Sequence, residues 1–385
     1  MNISPIASRV LKRLLGVLVC LSLAGCLSGG SKHIENGVPP APKAKSTTLR
    51  ISDVTVDKRT FNPSMGEKVA ISFRLSSPGK AIVRILDPDM GIIADLWPNE
   101  REDFEQTVVW DGKDLNGRVV PDEAYFFTID AVDYQNRVAR YDPAAISGGE
   151  IIIPEDLAFD MDQGFVTYRL AKDARVKIRA GIPNGPLLKT IVNCSPRLSG
   201  ANNEAWDGKD DPGVLNAGIE SSLKLMAEAV TLPDNSIIAR GNSEYSYFEY
   251  STLTPNRAGL KKPPLQDGNA FALQMGICTS GMEPLFRLEL PDSDNPKGLP
   301  MVKGKVPLRI CLDDKVKKYA AEQRYEIVLF VDYVFVTERE EGYSPFTLVW
   351  DSGEVGNGEH VLTINVATLN GRIWSASAKV FVQNE

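Results

Sequence analysis

Apolar and polar residues alternate over short runs along most of the chain beyond about residue 48. Residues 69–75 and 81–85 place apolar side chains at every second position, which is the period of a half-buried strand. Turn-forming residues such as Ser77-Pro78-Gly79 separate the runs, and the pattern contains no long amphipathic helix in this part of the chain. The alternation therefore predicts an all-β protein.

One pentapeptide occurs twice. Trp110-Asp111-Gly112-Lys113-Asp114 recurs without change at residues 206–210, 96 positions later. The preceding strands repeat as well, since residues 81–85 and 174–178 share the pattern Ala-x-Val-x-Ile. A period of this length is too long for a solenoid and suits one small domain, so we predict tandem copies of a single domain. A weaker echo, Trp-Asp-Ser-Gly, stands at residues 350–353.

The repeated motif suits a turn at the end of a buried strand. Asp accepts hydrogen bonds from its own backbone, and Gly tolerates the positive φ that many tight turns need. A Trp directly before the turn can lie across the gap between two sheets and bury a large area. We therefore assign a structural role to two triplets: Trp110, Asp111 and Gly112, and Trp206, Asp207 and Gly208.

The first copy resembles the Ig-like domain of the flagellar hook-capping protein FlgD, a domain that also occurs in other secreted bacterial proteins. The resemblance rests on Phe61-Asn62-Pro63, on the strand pair, on the Trp110 motif with Gly117, and on the aromatic strand Tyr125-Phe126-Phe127. It implies tandem β-sandwiches of the Ig or fibronectin type III kind. The second copy keeps the motif but lacks the aromatic strand, so it is a divergent member. We find no hook-capping segment in this sequence, so flagellar assembly is not implied.

The N-terminus resembles a bacterial export signal. Three basic residues precede an apolar run too short to span a bilayer comfortably, and the run ends in Leu23-Ala24-Gly25-Cys26. This ending resembles a lipobox, which implies removal of the signal peptide 1–25 and acylation of Cys26. An ordinary secretory signal with an incidental Cys is the alternative. Leu27 rather than Asp after the Cys implies, in a cell with two membranes, the outer one.

The segment that follows the signal predicts a tether. Residues 26–48 are rich in Gly, Pro, Lys and Ser and lack apolar periodicity. The chain has a formal charge of −7, and removing residues 1–25 takes away three cations and no acid, which makes it −10. An acidic body without a basic motif argues against nucleic acid as a partner. The membrane is instead the expected partner, because several acyl chains on Cys26 would anchor the protein stably.

The chain has five cysteines, of which Cys20 and Cys26 lie in or directly after the signal. Export permits disulfides, and the other three cysteines leave at least one thiol over. Cys278 and Cys311 share the predicted third domain, so we favour that pair and expect Cys194 to be a thiol. The chain has no Cys-x-x-Cys motif and only two histidines, so we predict no metal site and no cofactor.

The pattern divides the mature chain into three β-domains. We predict FlgD-type copies at 49–147 and 148–250, a polar linker at 251–269 and a third domain at 270–385. The third domain resembles a bacterial Ig-like module of surface proteins and carbohydrate enzymes, with matching motifs at 330–336, 345–351 and 357–364. Because the linkers are short and polar and no apolar seam is visible, we expect the domains to move relative to one another.

Few residues in the sequence are candidates for catalysis or metal binding. Asp111, Asp114 and Asn116 have a spacing like that of a calcium loop, but their order and the flanking strands favour a turn. His360 has no nucleophile motif to accompany it. Acidic loop residues could be cast as paired carboxylates for glycoside hydrolysis, yet nothing places two of them across a cleft (Asp87, Asp89, Glu100 and Glu102). We therefore predict that the protein is not an enzyme.

Residues 244–250 contain the one unusual aromatic cluster. If they form a strand, Tyr245 and Tyr247 share one face and could hold a sugar ring or a partner. The alternative is that this strand ends the second domain and packs on the third.

These features together predict a lipid-anchored, non-enzymatic cell-envelope protein with a structural, adhesive or partner-binding role. Its partner would be an envelope or extracellular protein or a glycan. The alternative is a carbohydrate-binding or enzyme-associated surface lipoprotein.

Overall fold

The alternating segments form strands that bury one face each. The computed structural model describes residues 48–98, 104–253, 283–291, 298–320, 324–341, 343–368 and 371–384. Within these ranges the chain forms three two-sheet β-sandwiches with two short α-helices. The predicted all-β fold is therefore confirmed.

The first sandwich has a three-stranded and a larger sheet. The small sheet has the order β1-β3-β6, and the large one has the order β2-β16-β7-β4-β5, with β8 also paired to β7. The strands are β1 (Ile51–Val56), β2 (Thr60–Phe61), β3 (Val69–Leu75), β4 (Gly79–Leu86), β5 (Ile92–Leu96), β6 (Glu105–Trp110), β7 (Glu123–Asp133), β8 (Val138–Tyr141) and β16 (Ser236–Ala239). A 3₁₀ turn spans Pro63–Met65 and another Pro143–Ala145.

The second sandwich is smaller. Its two sheets have the orders β10-β11-β14 and β13-β12-β15-β9. The strands are β9 (Ile151–Ile152), β10 (Glu155–Asp160), β11 (Phe165–Leu170), β12 (Ala174–Gly181), β13 (Leu187–Arg197), β14 (Gly200–Ala205) and β15 (Lys224–Thr231), with a 3₁₀ turn at Ala217–Ile219.

The first sandwich is built from two separate stretches of chain. Strand β16 follows the whole second sandwich, yet it pairs antiparallel with β7, from Ser236 opposite Phe126 to Ala239 opposite Glu123. It also pairs parallel with β2. The structure thus differs from the predicted boundaries 49–147 and 148–250, because residues 236–239 complete the first sandwich. The second sandwich is an insertion held by the first at both of its ends.

The predicted strand at residues 245–250 is wrong. Helix α1 spans Tyr247–Leu253. Ser246 starts it, because its Oγ accepts a hydrogen bond from Glu249 N at 3.2 Å and its N–H donates to Glu249 Oε2 at 3.0 Å. This reciprocal pair is a capping box, which satisfies two backbone donors at a helix start. Local capping therefore prevails over the alternation of aromatic residues.

The third sandwich has sheets of three and five strands. Their orders are β17-β19-β22 and β18-β24-β23-β20-β21. The strands are β17 (Phe286–Glu289), β18 (Met301–Val302), β19 (Lys305–Leu312), β20 (Tyr325–Val331), β21 (Val334–Glu341), β22 (Phe346–Asp351), β23 (Gly358–Thr368) and β24 (Ile373–Val382). Helix α2 spans Asp314–Ala320, and a 3₁₀ turn spans Ser352–Glu354.

An apolar seam, which the sequence did not reveal, joins the first two sandwiches. Leu86 and Phe126 on the outer face of the large sheet pack in one buried cluster with Leu232, which follows β15. Arg175 of β12 forms a buried ion pair with Glu123 of β7, with Nη1 2.7 Å from Oε1. The buried apolar contact resists separation, and the ion pair fixes which residues of the two sandwiches meet.

Candidate functional site

The two Trp-Asp-Gly-Lys-Asp turns have the same internal geometry. Trp110 Nε1 donates to Lys113 O at 3.1 Å, and Trp206 Nε1 donates to Lys209 O at 2.8 Å. Asp111 Oδ1 accepts from Lys113 N, and Asp207 Oδ1 accepts from Lys209 N. Both indoles are buried, so each turn ends a core strand rather than presenting an aromatic ring to solvent.

Glycine is required at the centre of each turn. Gly112 has a φ of +72° and Gly208 a φ of +78°, which is the left-handed region. A Cβ on Gly112 would also lie 2.3 Å from the Pro63 ring. These backbone and packing constraints explain why both copies of the motif have Gly at this position, without a bound ligand.

The last Asp of each turn is buried but has different partners in the two copies. Asp114 Oδ2 accepts from Tyr250 of α1 at 2.9 Å, while its Oδ1 accepts from Asn116 N and Arg118 N. Asp210 Oδ1 accepts from Leu215 N, and its Oδ2 has no hydrogen-bond partner in the described part of the chain. The hydrogen bonds of Asp114 join the turn to α1, so this carboxylate has a structural role.

The two tyrosines predicted as a recognition surface belong to the first sandwich. Tyr247 is buried, and its hydroxyl donates to Asp89 Oδ2 at 2.9 Å. Tyr245 is partly buried, stacks on Tyr250 at 5.8 Å and donates to Val119 O at 2.7 Å. They therefore pack residues 245–250 onto the first core, and they do not form an open platform for a sugar ring or a partner.

The predicted Cys278–Cys311 disulfide is wrong. Cys311 is a free, buried thiol whose pKa is raised by burial. Cys194, expected to be a thiol, is disulfide-bonded. Cys26 and Cys278 lie outside the described residues. Alternation along β19 places the Cys311 side chain on the face opposite the core residues Leu308, Ile310 and Leu312, so its burial comes from the cover on that outer face.

Other candidate chemical groups are used in local structure. Asp87 Oδ1 accepts from Gly91 N at 2.6 Å, which closes a turn. His360 contacts Asp332 Oδ2 at 2.6 Å and Gly356 O at 2.8 Å, and this hydrogen bonding raises the His360 pKa although burial opposes the shift. Glu100 and Glu102 lie outside the described residues. Across the described ranges, no group of three His, Cys, Asp or Glu side chains could hold a metal ion.

Polar contacts connect the second and third sandwiches. Asn365 of β23 accepts from Leu187 N at 2.9 Å and donates to Leu187 O at 2.8 Å, as a neighbouring strand would. Arg179 donates to Gly371 O at 2.8 Å, and Asn193 donates to Glu283, which also lies 3.6 Å from Arg372 within the third sandwich. Burial raises the pKa of Glu283 despite these cations. The contact is therefore specific and largely buried rather than a loose linker.

The outer face of the large sheet in the first sandwich carries an open groove. Strand register places Ile82 opposite Asp130, and Asp130 opposite Arg140, across β4, β7 and β8. Trp97 follows β5 directly and lines the same groove beside Ile82. We call this surface the Trp97 groove; its volume is 590 Å³, and Val132 and Val138 complete its apolar floor.

The apolar side chains of the Trp97 groove are unusually exposed. The exposed fractions are 52% for Trp97, 37% for Val132 and 76% for Val138. The opposite end of the same outer face, at Leu86 and Phe126, is covered by the second sandwich. One sheet face is thus partly buried against a neighbour and partly open to solvent.

Charged side chains flank the apolar floor and pair with each other. Arg84 forms ion pairs with Asp130 and, at 3.4 Å, with Asp95. Arg140 lies 3.9 Å from Asp130 and 3.1 Å from Asp142. Guanidinium donors and carboxylate acceptors therefore alternate along one side of the groove without an excess of either charge.

Sequence reasoning did not identify the Trp97 groove. Its members come from β4, β7, β8 and the position directly after β5, and they become neighbours only through strand pairing. The available signal was the set of apolar residues at the outward positions of otherwise alternating strands, such as Ile82 and Val132, together with a Trp at a strand end. Outward apolar residues on neighbouring strands indicate a second buried or binding face.

No protein-family model and no curated protein matches this chain. Similar solved structures include the fibronectin(III)-like modules of CbhA from Clostridium thermocellum, at 10% identity over 86% of this chain and 94% of that chain, with a TM-score of 0.20. A tetra-tandem repeat from the extending region of a large adhesion protein has 13% identity over 88% of this chain and 74% of that chain, with a TM-score of 0.20.

A third similar structure concerns host cell surface retention of a 1.5-MDa bacterial ice-binding adhesin. It has 10% identity over 89% of this chain and all of that chain, with a TM-score of 0.19. Scores this low carry no argument about activity or partners. Strand pairing within this chain is the basis for its description as three β-sandwiches.

In the described residues, no helix has both the length and the apolar character needed to cross a bilayer.

Proposed function

We propose that the protein is a lipid-anchored, non-enzymatic component of the cell envelope with a structural or adhesive role. The observation that carries the proposal is the way the sandwiches are joined. The second is inserted into the first, with an apolar seam and the Glu123–Arg175 ion pair between them. Such an array resists bending at the joint, which suits a spacer or an adhesive stalk.

The third sandwich adds to this body through contacts with both others. Asn365 engages the backbone of Leu187, and Tyr333 donates to Glu220 at 3.0 Å, both in the second sandwich. Lys315 of α2 lies 3.3 Å from Glu249 of α1 in the first. The inference of a stiff body therefore rests on several independent contacts and not on linker length.

The anchoring part of the proposal rests on the sequence Leu23-Ala24-Gly25-Cys26 and on the tether that follows. Acyl chains on Cys26 would hold the protein to the outer membrane, with residues 26–48 as a spacer. The non-enzymatic part rests on the use of Asp87, Asp89 and Asp114 in turns and packing.

Fatty-acid labelling tests the anchor. Cells producing the full-length protein are fed an alkyne fatty acid, and Cys26→Ala is compared with Cys20→Ala, a matched change inside the signal. We expect label and membrane retention in the wild type and in Cys20→Ala, and no label in Cys26→Ala. Label that persists in Cys26→Ala would overturn the lipoprotein assignment.

Partner capture tests the role. Cross-linking in intact cells, followed by purification of the full-length protein, should recover a constant envelope or extracellular component. The same component should be lost when Cys26→Ala prevents anchoring. Recovery of no component above the level of an unrelated lipoprotein would contradict an adhesive or structural role.

A second candidate is a carbohydrate-binding surface lipoprotein. The specific observation in its favour is the half-exposed Trp97 in an open groove.

A further inference from the structure

We propose that the Trp97 groove binds a neutral polysaccharide chain laid across the strands of the large sheet. This inference rests on the proposed envelope role, because it names the class of molecule that the protein would hold. Nothing in the sequence motifs assigned a function to this face.

The first argument is the contrast between the two ends of one sheet face. At Leu86 and Phe126 the outward apolar side chains are covered by the second sandwich. At Val132 and Val138 the outward side chains are valines, which are more than a third and three quarters exposed, beside a half-exposed indole. Contiguous exposed apolar surface on a soluble body marks an interaction site.

The second argument is the shape of the surface. The row Ile82, Asp130 and Arg140 crosses β4, β7 and β8 in register, and Trp97, directly after β5, extends it by one position. With strands about 4.8 Å apart, the row is about 14 Å long. A volume of 590 Å³ falls in the range of about 300–1,000 Å³ typical of small-ligand sites. An open groove of this length and volume suits a few units of a linear polymer better than a folded protein.

The third argument is charge complementarity. Three cations, Lys80, Arg84 and Arg140, stand near three carboxylates, and both arginines are already paired. A charged ligand at either arginine would have to compete with these ion pairs. A neutral ligand rich in hydroxyl groups can accept from the guanidinium edges and donate to the carboxylates while the pairs stay intact.

The fourth argument is the chemistry of the indole. The faces of a pyranose ring present C–H groups that carry slight positive charge, whereas the face of an indole is negative. A sugar stacked on Trp97 would bury apolar area on Val132 and Val138 and leave its hydroxyls at the Arg140–Asp130 side. The groove therefore has an apolar surface for the sugar ring and polar side chains for its hydroxyl groups.

The test uses the full-length protein in a detergent without a sugar headgroup. Affinity electrophoresis compares the neutral polysaccharides laminarin, galactomannan and xylan with the anionic polygalacturonate. We expect retardation by at least one neutral polysaccharide and none by polygalacturonate. No retardation by any neutral polysaccharide, or equal retardation by the anionic one, would overturn the inference.

Variants localise the binding. Trp97→Ala should weaken it by about tenfold or more, as expected for a central aromatic contact, and Val138→Ser should weaken it by a smaller factor. Phe335→Ala is the matched control, because Phe335 is 50% exposed on the third sandwich. It should change binding less than about twofold. Binding that Trp97→Ala leaves unchanged, with melting as in the wild type, would refute the site.

The main alternative occupant of the groove is a second copy of the chain, and light scattering distinguishes it from a polysaccharide by the molar mass in solution. We expect the molar mass to be the same for wild type and Trp97→Ala. A dimer that Trp97→Ala dissociates would overturn the carbohydrate assignment. If no polysaccharide binds but Cys26 still carries the fatty-acid label, this inference is overturned while the proposed envelope role is not.

Discussion

Replacing Glu123 with Leu should weaken the joint between the first and second sandwiches strongly. Glu123 Oε1 lies 2.7 Å from Arg175 Nη1, and the side chains are 10% and 4% exposed. At an effective dielectric constant of about 20, the attraction between two charges at this distance is roughly 6 kcal/mol. Taking both charges out of water costs several kcal/mol each, so the intact pair is close to neutral in free energy.

The single substitution removes the attraction but leaves the desolvation cost of Arg175 in place. Arg175 then stays buried with an uncompensated charge, and the Ala124 N–H, 2.6 Å from Glu123 Oε1, loses its acceptor. We expect the free energy of unfolding to fall by about 3–5 kcal/mol. Arg175→Met should have a similar effect, whereas the double variant Glu123→Leu/Arg175→Met should recover most of the loss because it buries no charge.

Urea unfolding followed by tryptophan fluorescence measures these differences. The control is the pair Lys172–Glu150, whose atoms lie 2.6 Å apart but whose side chains are 60% and 62% exposed. Glu150→Gln should cost less than about 1 kcal/mol, because solvent screens an exposed pair. The reasoning is refuted if Glu123→Leu costs no more than Glu150→Gln, or if the double variant is no more stable than either single variant.

Three further outcomes can be measured. Trp110→Ala and Trp206→Ala should each lower the free energy of unfolding by about 3–5 kcal/mol, since both indoles are core residues; melting curves like the wild type's would contradict their burial. Peptide mass spectrometry should find Cys311 alkylated only once the protein is unfolded, and Cys194 alkylated only once a reductant is added. Rapid alkylation of Cys194 in the native, unreduced protein would contradict the disulfide. Because the hydrogen bond to Asp332 raises the His360 pKa above 6.5, His360 contributes stability that is fully present below pH 6.5 and lost as the pH rises through its folded pKa. His360→Gln should therefore make the melting temperature depend less on pH over that interval. An unchanged pH dependence would contradict the role of His360.

The Tyr245–Tyr250 segment shows a local signal that the alternation concealed. Ser246 and Glu249 have the Ser-x-x-Glu spacing of a capping box, and they make both of its hydrogen bonds. Aromatic residues at alternate positions favoured a strand. A short alternating run is weak evidence, because tertiary packing of Tyr247 and Tyr250 into the first core is compatible with a helix as well.

Short-range pattern determined much of this protein. Alternation at residues 69–75 and 81–85 was enough to predict strands, and the repeated Trp-Asp-Gly-Lys-Asp was enough to predict buried indoles before tight turns. Both features depend on side-chain periodicity and turn chemistry, which act over a few residues and are written in the sequence directly.

Tertiary structure alone decided which strands become neighbours. The return of Ser236–Ala239 to β7, more than a hundred positions earlier in the chain, depends on pairing edges that local sequence does not encode. The same holds for the Trp97 groove, because Ile82, Asp130 and Arg140 meet only through the register of β4, β7 and β8. Strand partners are chosen by the burial of whole faces, so long-range neighbours follow from the packed fold and not from any single stretch of residues.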